Sequence, residues 1–378
     1  MRHTVRLPIL LLLTGSVCHL APAQSPHLDK ATPPTNLTPL PPSIGGRVVT
    51  QPDPANASFG ARLYTYQWPG TYFQVAFRGT EVYFRTAGGH QNLHITIDHG
   101  QPLTVTATDA ATYRISGLAN KPHIVRIAVV SESQDAPDSF SGFALPHTAS
   151  PLRSPAHPRQ IEFIGDSHTV GYGNTSAHRE CTADQIWALT DSSQGLGPLT
   201  AAHYNADFQI NAISGRGIVR NYGGSAGDPL PVAYPFILFD KKVLYRDASW
   251  QPQIIVLSLG TNDFSTPLHP GEKWKTRDDL HADYEATYVR FLSDLRAQHP
   301  SAFIILWAVG AVDGEIPTEV SKVVQQRKAA GDTRIAFVPV GPLHMDACDW
   351  HPSTADDLTI SQKLIDLIDH TPAIWQGK

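Results

Sequence analysis

The sequence predicts a two-domain chain: an all-β sandwich of jelly-roll type over residues 44–150, then an α/β/α domain with a parallel, doubly wound sheet over residues 155–378. Three observations carry this. Up to about Leu145, short apolar runs alternate with period two between Gly-, Asn- and Pro-bearing turns. From Gln160 onward, apolar runs of strand length alternate with helical patterns instead. The chain also has 378 residues, more than one hydrophobic core usually organises.

Taken in order, the chain opens with Arg2 and Arg6 ahead of the apolar run Leu7 to Leu13, and Ala21-Pro22-Ala23 supplies small residues for cleavage. Residues 1–23 therefore read as a secretory signal peptide, and the expected location is secreted or periplasmic. The apolar run is too short to span a hydrocarbon core of about 30 Å. Val17 before Cys18 is too bulky for a good lipid-attachment signal, which favours soluble export. Residues 24–43 hold six prolines and no apolar periodicity, so an extended linker without packed structure is expected there. Strands are expected at Tyr72 to Phe77, Val82 to Phe84, Leu93 to Ile97, Leu103 to Val105 and His123 to Ile127. The proline-bearing stretch Pro151 to Arg159 leads out of the sandwich.

In the second domain the expected strands are Ile161 to Ile164, Phe208 to Ala212, Ile254 to Leu259, Phe303 to Trp307 and Ile335 to Val338. Asp278 to Gln298 places Leu280, Tyr284, Tyr288, Phe291, Leu292 and Leu295 on one helical stripe. Ser353-Thr354-Ala355-Asp356 resembles a capping box for a last helix whose apolar face uses Leu358, Leu364, Ile365 and Ile368.

Net charge is −5, with no lysine-rich run or basic patch, which argues against nucleic acid or an anionic membrane surface as partner and favours a neutral one. Cys181 and Cys348 remain after processing and can form a disulfide in an oxidising compartment; the alternative is two unpaired, buried thiols.

The chemistry gathers at strand ends. Ile161 to Ile164 stops at Gly165-Asp166-Ser167, which puts the Ser167 hydroxyl at the carboxyl edge of the sheet, where open α/β folds hold ligands. A neutral serine needs a base. The chain contains 18 histidines, so type alone selects none; His351 is chosen because it lies just before the final helix, in a loop expected at the same edge. Attack on a carbonyl builds negative charge on oxygen, and pre-aimed donors must meet it. Three are available: the Ser167 amide, the Gly215 amide in Ser214-Gly215-Arg216-Gly217, and the Asn262 side chain after the strand Ile254 to Leu259. Asp166 and Asp263 read as loop-ordering groups, and Trp350 as a candidate platform for a sugar ring or a packing anchor.

Gly165-Asp166-Ser167, Gly215, Gly260-Thr261-Asn262-Asp263 and His351 resemble, in order, the blocks of the SGNH (GDSL-type) hydrolases. Gly165 through Asn174, Ser214 to Gly217 with Arg220-Asn221-Tyr222, and Leu259 to Ser265 look more specifically like carbohydrate esterase family two. That resemblance implies a jelly roll joined to an SGNH hydrolase domain and a serine esterase, acetylxylan esterase-like, acting on acetylated xylan- or mannan-type polysaccharide without metal or organic cofactor. Two positions depart from the pattern. His168 stands where an aliphatic residue is commoner and reads as a rim contact; and the place three before His351, acidic in the wider family, is Cys348. The favoured reading is a Ser167 and His351 dyad with Asp349 as helper; the alternatives for a third element are Asp346 or, as in some members of the resembled family, the carbonyl of the residue preceding the histidine, here Trp350. Rival readings are an SGNH lipase or thioesterase for longer acyl groups, and a non-catalytic glycan-binding protein.

Overall fold

The computed structural model describes residues 26–107, 109–372 and 374–375, and the expected signal peptide lies outside them. The N-terminal half is a sandwich of two antiparallel sheets. One runs His27–Lys30, Thr112–Ser116, Val82–Thr86, Asp138–Leu145, Arg62–Tyr66 and Val49–Pro52, with Thr38–Leu40 also paired to Asp138–Leu145. The other runs Ser150–Leu152, Tyr72–Gly79, Lys121–Val129, Gln91–Ile97 and Leu103–Ala107, with Ser43–Gly45 beside Tyr72–Gly79. Alternate residues point inward, as the pleat requires, and Phe73, Val75, Phe77, Ile95, Val125 and Ile127 meet Tyr66, Phe84, Phe140 and Phe143 in one core.

The expectation of an unpacked linker over 24–43 is corrected. His27–Lys30 and Thr38–Leu40 pair with the sandwich, and Leu37 and Leu40 are buried. Proline did not prevent this because Thr38–Leu40 pairs off the main strand path, where Pro39 need not donate to a ladder on both sides.

The C-terminal half is a five-stranded, all-parallel sheet in the order Ala206–Ala212, Arg159–Gly165, Ile254–Ser258, Phe303–Val309, Ile335–Gly341. The first strand in sequence thus lies between the second and the third, a topological switch point at its carboxyl end. Helix Arg277–Gln298 starts from a Thr276 and Asp279 capping box and buries the whole expected stripe from Leu280 to Leu295. Helix Thr354–Asp369 starts from the Ser353 and Asp356 box; Ile360 joins Leu364, Ile365 and Ile368 in the core, whereas Leu358 faces solvent. Among the described residues no helix is long and apolar enough to cross a membrane.

The halves are joined by buried chemistry. Arg47 of the sandwich pairs with Glu162 at 3.2 Å, and both are almost wholly buried. Glu162 also accepts from Asn211 at 2.6 Å, Tyr234 at 2.7 Å and the Trp250 indole at 3.2 Å. Trp68 leaves its own sandwich to pack in the core of the parallel-sheet domain and donates to the Phe236 carbonyl at 3.2 Å.

Candidate active site

The strand Arg159–Gly165 delivers its carboxyl end to the switch point, and the chain turns there into a single helical turn, Ser167–Val170. Asp166 caps that turn by accepting the His168 amide at 3.1 Å. The turn holds Ser167 close to its strand, with only 6% of its surface exposed.

His351 reaches it from the other end of the chain. Its Nε2 lies 2.9 Å from Ser167 Oγ, while Nδ1 lies 3.0 Å from the Cys348 carbonyl and 3.1 Å from that of Asp349. Two carbonyls can only accept, so the Nδ1 proton is fixed toward them and the Nε2 lone pair faces the hydroxyl. The carbonyls converge because Asp349 and Trp350 both adopt left-handed backbone, φ 51° and 56°, which folds the segment under its own imidazole. Such conformations cost non-glycine residues of order 1 kcal/mol or more. Neighbours hold them in place: the Cys181–Cys348 disulfide, with Cα atoms 5.4 Å apart, the Asp349 amide on the Arg179 carbonyl at 2.6 Å, and the Arg179 guanidinium on the Met345 carbonyl at 2.8 Å. Gly173 belongs to the same seam, since a β-carbon there would come within 2.5 Å of Cys348 Cβ.

This corrects the expected third element. The Asp349 carboxylate accepts from the Tyr172 hydroxyl at 3.3 Å and makes no bond to His351; Asp346 pairs with Arg179 at 2.6 Å; and the carbonyls used are those of Cys348 and Asp349 rather than Trp350. A carboxylate cannot occupy the usual place three residues back because that side chain is committed to the disulfide. His168 is also not at the rim: it is buried edge-on against His351, ring centroids 5.5 Å apart, and desolvation with the neighbouring imidazole pushes it down to about 3.

The third segment arrives with the one-turn helix Thr261–Phe264. Asn262 Nδ2 donates to Asp166 Oδ2 at 3.1 Å and to the Arg216 carbonyl at 2.9 Å, tying together the residue before Ser167 and the residue after Gly215. Asp263 accepts the amides of Ile218, Val219 and Arg220 at 3.0, 2.9 and 2.9 Å, clamping the loop that carries Gly215. Among the described residues the amides of Ser167 and Gly215 have no acceptor. Burial raises the Asp166 carboxyl to about 7 and that of Asp263 to about 6, in each case against backbone donors that favour the charged form.

Two exposed aromatics flank this cluster. Trp350 precedes His351, and the Tyr222 amide bonds the Gly215 carbonyl at 2.9 Å; each is 58% exposed. Sequence reasoning missed Tyr222 as a surface aromatic and Tyr172 as the ring packed 4.4 Å from His351. A cavity of about 570 Å³ beside Glu162, Trp250 and His299 lies at the amino ends of the strands and contains none of these groups.

Burial depresses His351 below the ordinary 6.5, opposed by its two carbonyl partners and the Asp349 charge. A base must be neutral to take a proton, so kcat/KM for ester hydrolysis is expected to rise with pH through a midpoint below 6.5 and be at its plateau above it. A pH-rate profile whose acid limb has its midpoint at 7 or higher would contradict this.

Residues 45–155 match the carbohydrate esterase 2 N-terminal family, and residues 163–362 match the GDSL-like lipase/acylhydrolase family. An acetylxylan esterase / glucomannan deacetylase of Cellvibrio japonicus is 42% identical over 338 residues, which span 89% of this chain and 93% of that protein. A solved carbohydrate esterase, described as displaying divergent catalytic and non-catalytic binding functions, superposes with a TM-score of 0.82 at 40% identity over 89% of this chain and 100% of its own. A family two carbohydrate esterase from Clostridium thermocellum, solved with cellohexaose, gives a TM-score of 0.74 at 28% identity over 86% of this chain and 98% of its own.

Proposed function

The chain belongs to carbohydrate esterase family 2, a carboxylic-ester hydrolase family with a GDSL-like catalytic domain, and on that premise we propose that it removes O-acetyl groups from xylan- or mannan-type polysaccharide through a serine acetyl-enzyme. The observation that carries the mechanism is the line from Ser167 Oγ through His351 to two carbonyls. His351 Nε2 takes the hydroxyl proton as Oγ attacks the acetyl carbon, then returns it to the departing sugar oxygen. Water repeats the exchange and releases acetate. The oxyanion is met by the amides of Ser167 and Gly215 and by Asn262 Nδ2, which exchanges the Arg216 carbonyl for the substrate oxygen.

The acetylated-glycan assignment is supported by the named activity of the Cellvibrio relative and by the cellohexaose bound to the Clostridium one. The exposed rings of Trp350 and Tyr222 give sugar rings apolar faces to lie on. Secretion is supported by the leader expected over residues 1–23 and by a disulfide that an oxidising compartment would preserve.

Acetate release is expected from acetylated xylan or glucomannan, with kcat/KM for acetyl at least about tenfold above that for butyryl or longer esters of the same alcohol; each added methylene must find apolar burial, worth about 0.8 kcal/mol. A rising rate with chain length would instead favour a lipase or thioesterase, and glycan binding without acetate release would favour a binding protein.

A further inference from the structure

Two side chains of the sandwich reach the loop that carries Gly215. Both lie in the turn after the strand Lys121–Val129. Glu132 Oε1 accepts the Ser214 amide at 2.7 Å, and Gln134 Nε2 donates to the Ser214 carbonyl at 3.1 Å. The two holders are themselves joined, Gln134 Nε2 donating to Glu132 Oε1 at 3.1 Å. Gln134 is fixed from behind, because its carbonyl accepts from Gln67 Nε2 at 3.1 Å and Gln67 Oε1 accepts the Phe239 amide at 2.9 Å.

A trans peptide is planar, with its C=O and the following N–H pointing opposite ways. Gripping the Ser214 carbonyl therefore sets the direction of the Gly215 N–H. Nothing else among the described residues grips that plane: the Gly215 N–H has no acceptor, and no other donor reaches the Ser214 carbonyl. Gly215 has φ 79° and open space where a β-carbon would stand, so the plane can turn over at little cost if released.

We propose that Glu132 and Gln134 are positioning residues that hold the Ser214–Gly215 peptide with the Gly215 N–H in the oxyanion hole, so that the sandwich supplies part of the catalytic apparatus. This rests on the serine mechanism proposed above. Glu132 also lies near Tyr172, the ring beside His351, and near Arg216; burial raises its carboxyl and the Ser214 amide opposes the rise.

The test uses the full-length protein and an acetylated xylo-oligosaccharide. Gln134→Glu removes the donor and sets a carboxylate against the carbonyl, so kcat is expected to fall about 10- to 100-fold, less than the 10²- to 10³-fold typical of deleting a donor outright. KM should stay within about twofold. Glu132→Ala should lower kcat in the same range, and Glu132→Gln, which keeps a carbonyl acceptor for Ser214, should recover most of that loss. Affinity for a boronic acid that forms a tetrahedral adduct should fall in step with kcat, at an unchanged unfolding midpoint. Variants with kcat within about twofold of the parent, or a fall in kcat that tracks a lower unfolding midpoint with boronate affinity unchanged, would overturn the proposal. Ser167→Ala run alongside separates the failures: if it is inactive while the sandwich variants are normal, only the positioning role is lost, and if it is active the serine mechanism goes as well.

Discussion

Ser167→Ala is expected to lower kcat for acetate release by at least about 10⁴-fold, the scale on which serine hydrolases respond to loss of the nucleophile. Among the described residues the Ser167 hydroxyl has a single side-chain partner, His351 Nε2, and its backbone position is fixed by the Asp166 cap and not by the hydroxyl. Removing one oxygen from a turn held in this way should move the unfolding midpoint by no more than a few degrees, so activity and stability separate cleanly. The measurement is initial-rate acetate release beside thermal unfolding of the same preparation. A variant that keeps a tenth of the parental rate would mean that another group attacks the ester.

His351→Ala should cost a similar factor, and its informative companion is Asp349→Asn. In a serine hydrolase whose histidine is oriented by a carboxylate, amidation of that acid costs about 10⁴-fold, because the wrong tautomer is stabilised. Here the acceptors at Nδ1 are the carbonyls of Cys348 and Asp349, which substitution of the Asp349 side chain leaves in place. Asparagine also tolerates the left-handed conformation at this position, φ 51°. Asp349→Asn is therefore expected to keep kcat within about threefold, the residual effect reflecting a lost charge near the imidazole and a changed partner for Tyr172. A loss of 100-fold or more would restore the carboxylate as the orienting group.

What could be read from the sequence was whatever has a local signature. Fully buried parallel strands appear as apolar runs, so Ile161 to Ile164 and Ile254 to Leu259 were legible, and both end where the structure ends them to within a residue or so. Strands of small and polar residues were not: Asp138–Leu145 pairs centrally in its sheet although Ser139, Ser141 and Gly142 blur its alternation, and Gly142 sits at a register shift. His27–Lys30 and Thr38–Leu40 are strands only because partners distant in sequence present edges to them. In the site, Ser167, His351, Gly215 and Asn262 were visible because each sits at a strand end or a helix start. The atoms that orient His351 were not, since a backbone carbonyl has no sequence signature and its direction depends on two unusual φ angles. Glu132 and Gln134 were invisible for another reason: they act across a domain boundary, about 80 residues from the loop they hold.

The Arg47 and Glu162 pair makes the two halves of this chain a poor substrate for domain shuffling. A recombination near Pro151 that exchanged the sandwich for an unrelated one would strand the Glu162 carboxylate inside the molecule without its cation and empty the slot that Trp68 fills. An ion buried without its partner typically costs 3–5 kcal/mol, a large share of the 5–15 kcal/mol that keeps a domain folded. Descent should therefore pass the pair on intact.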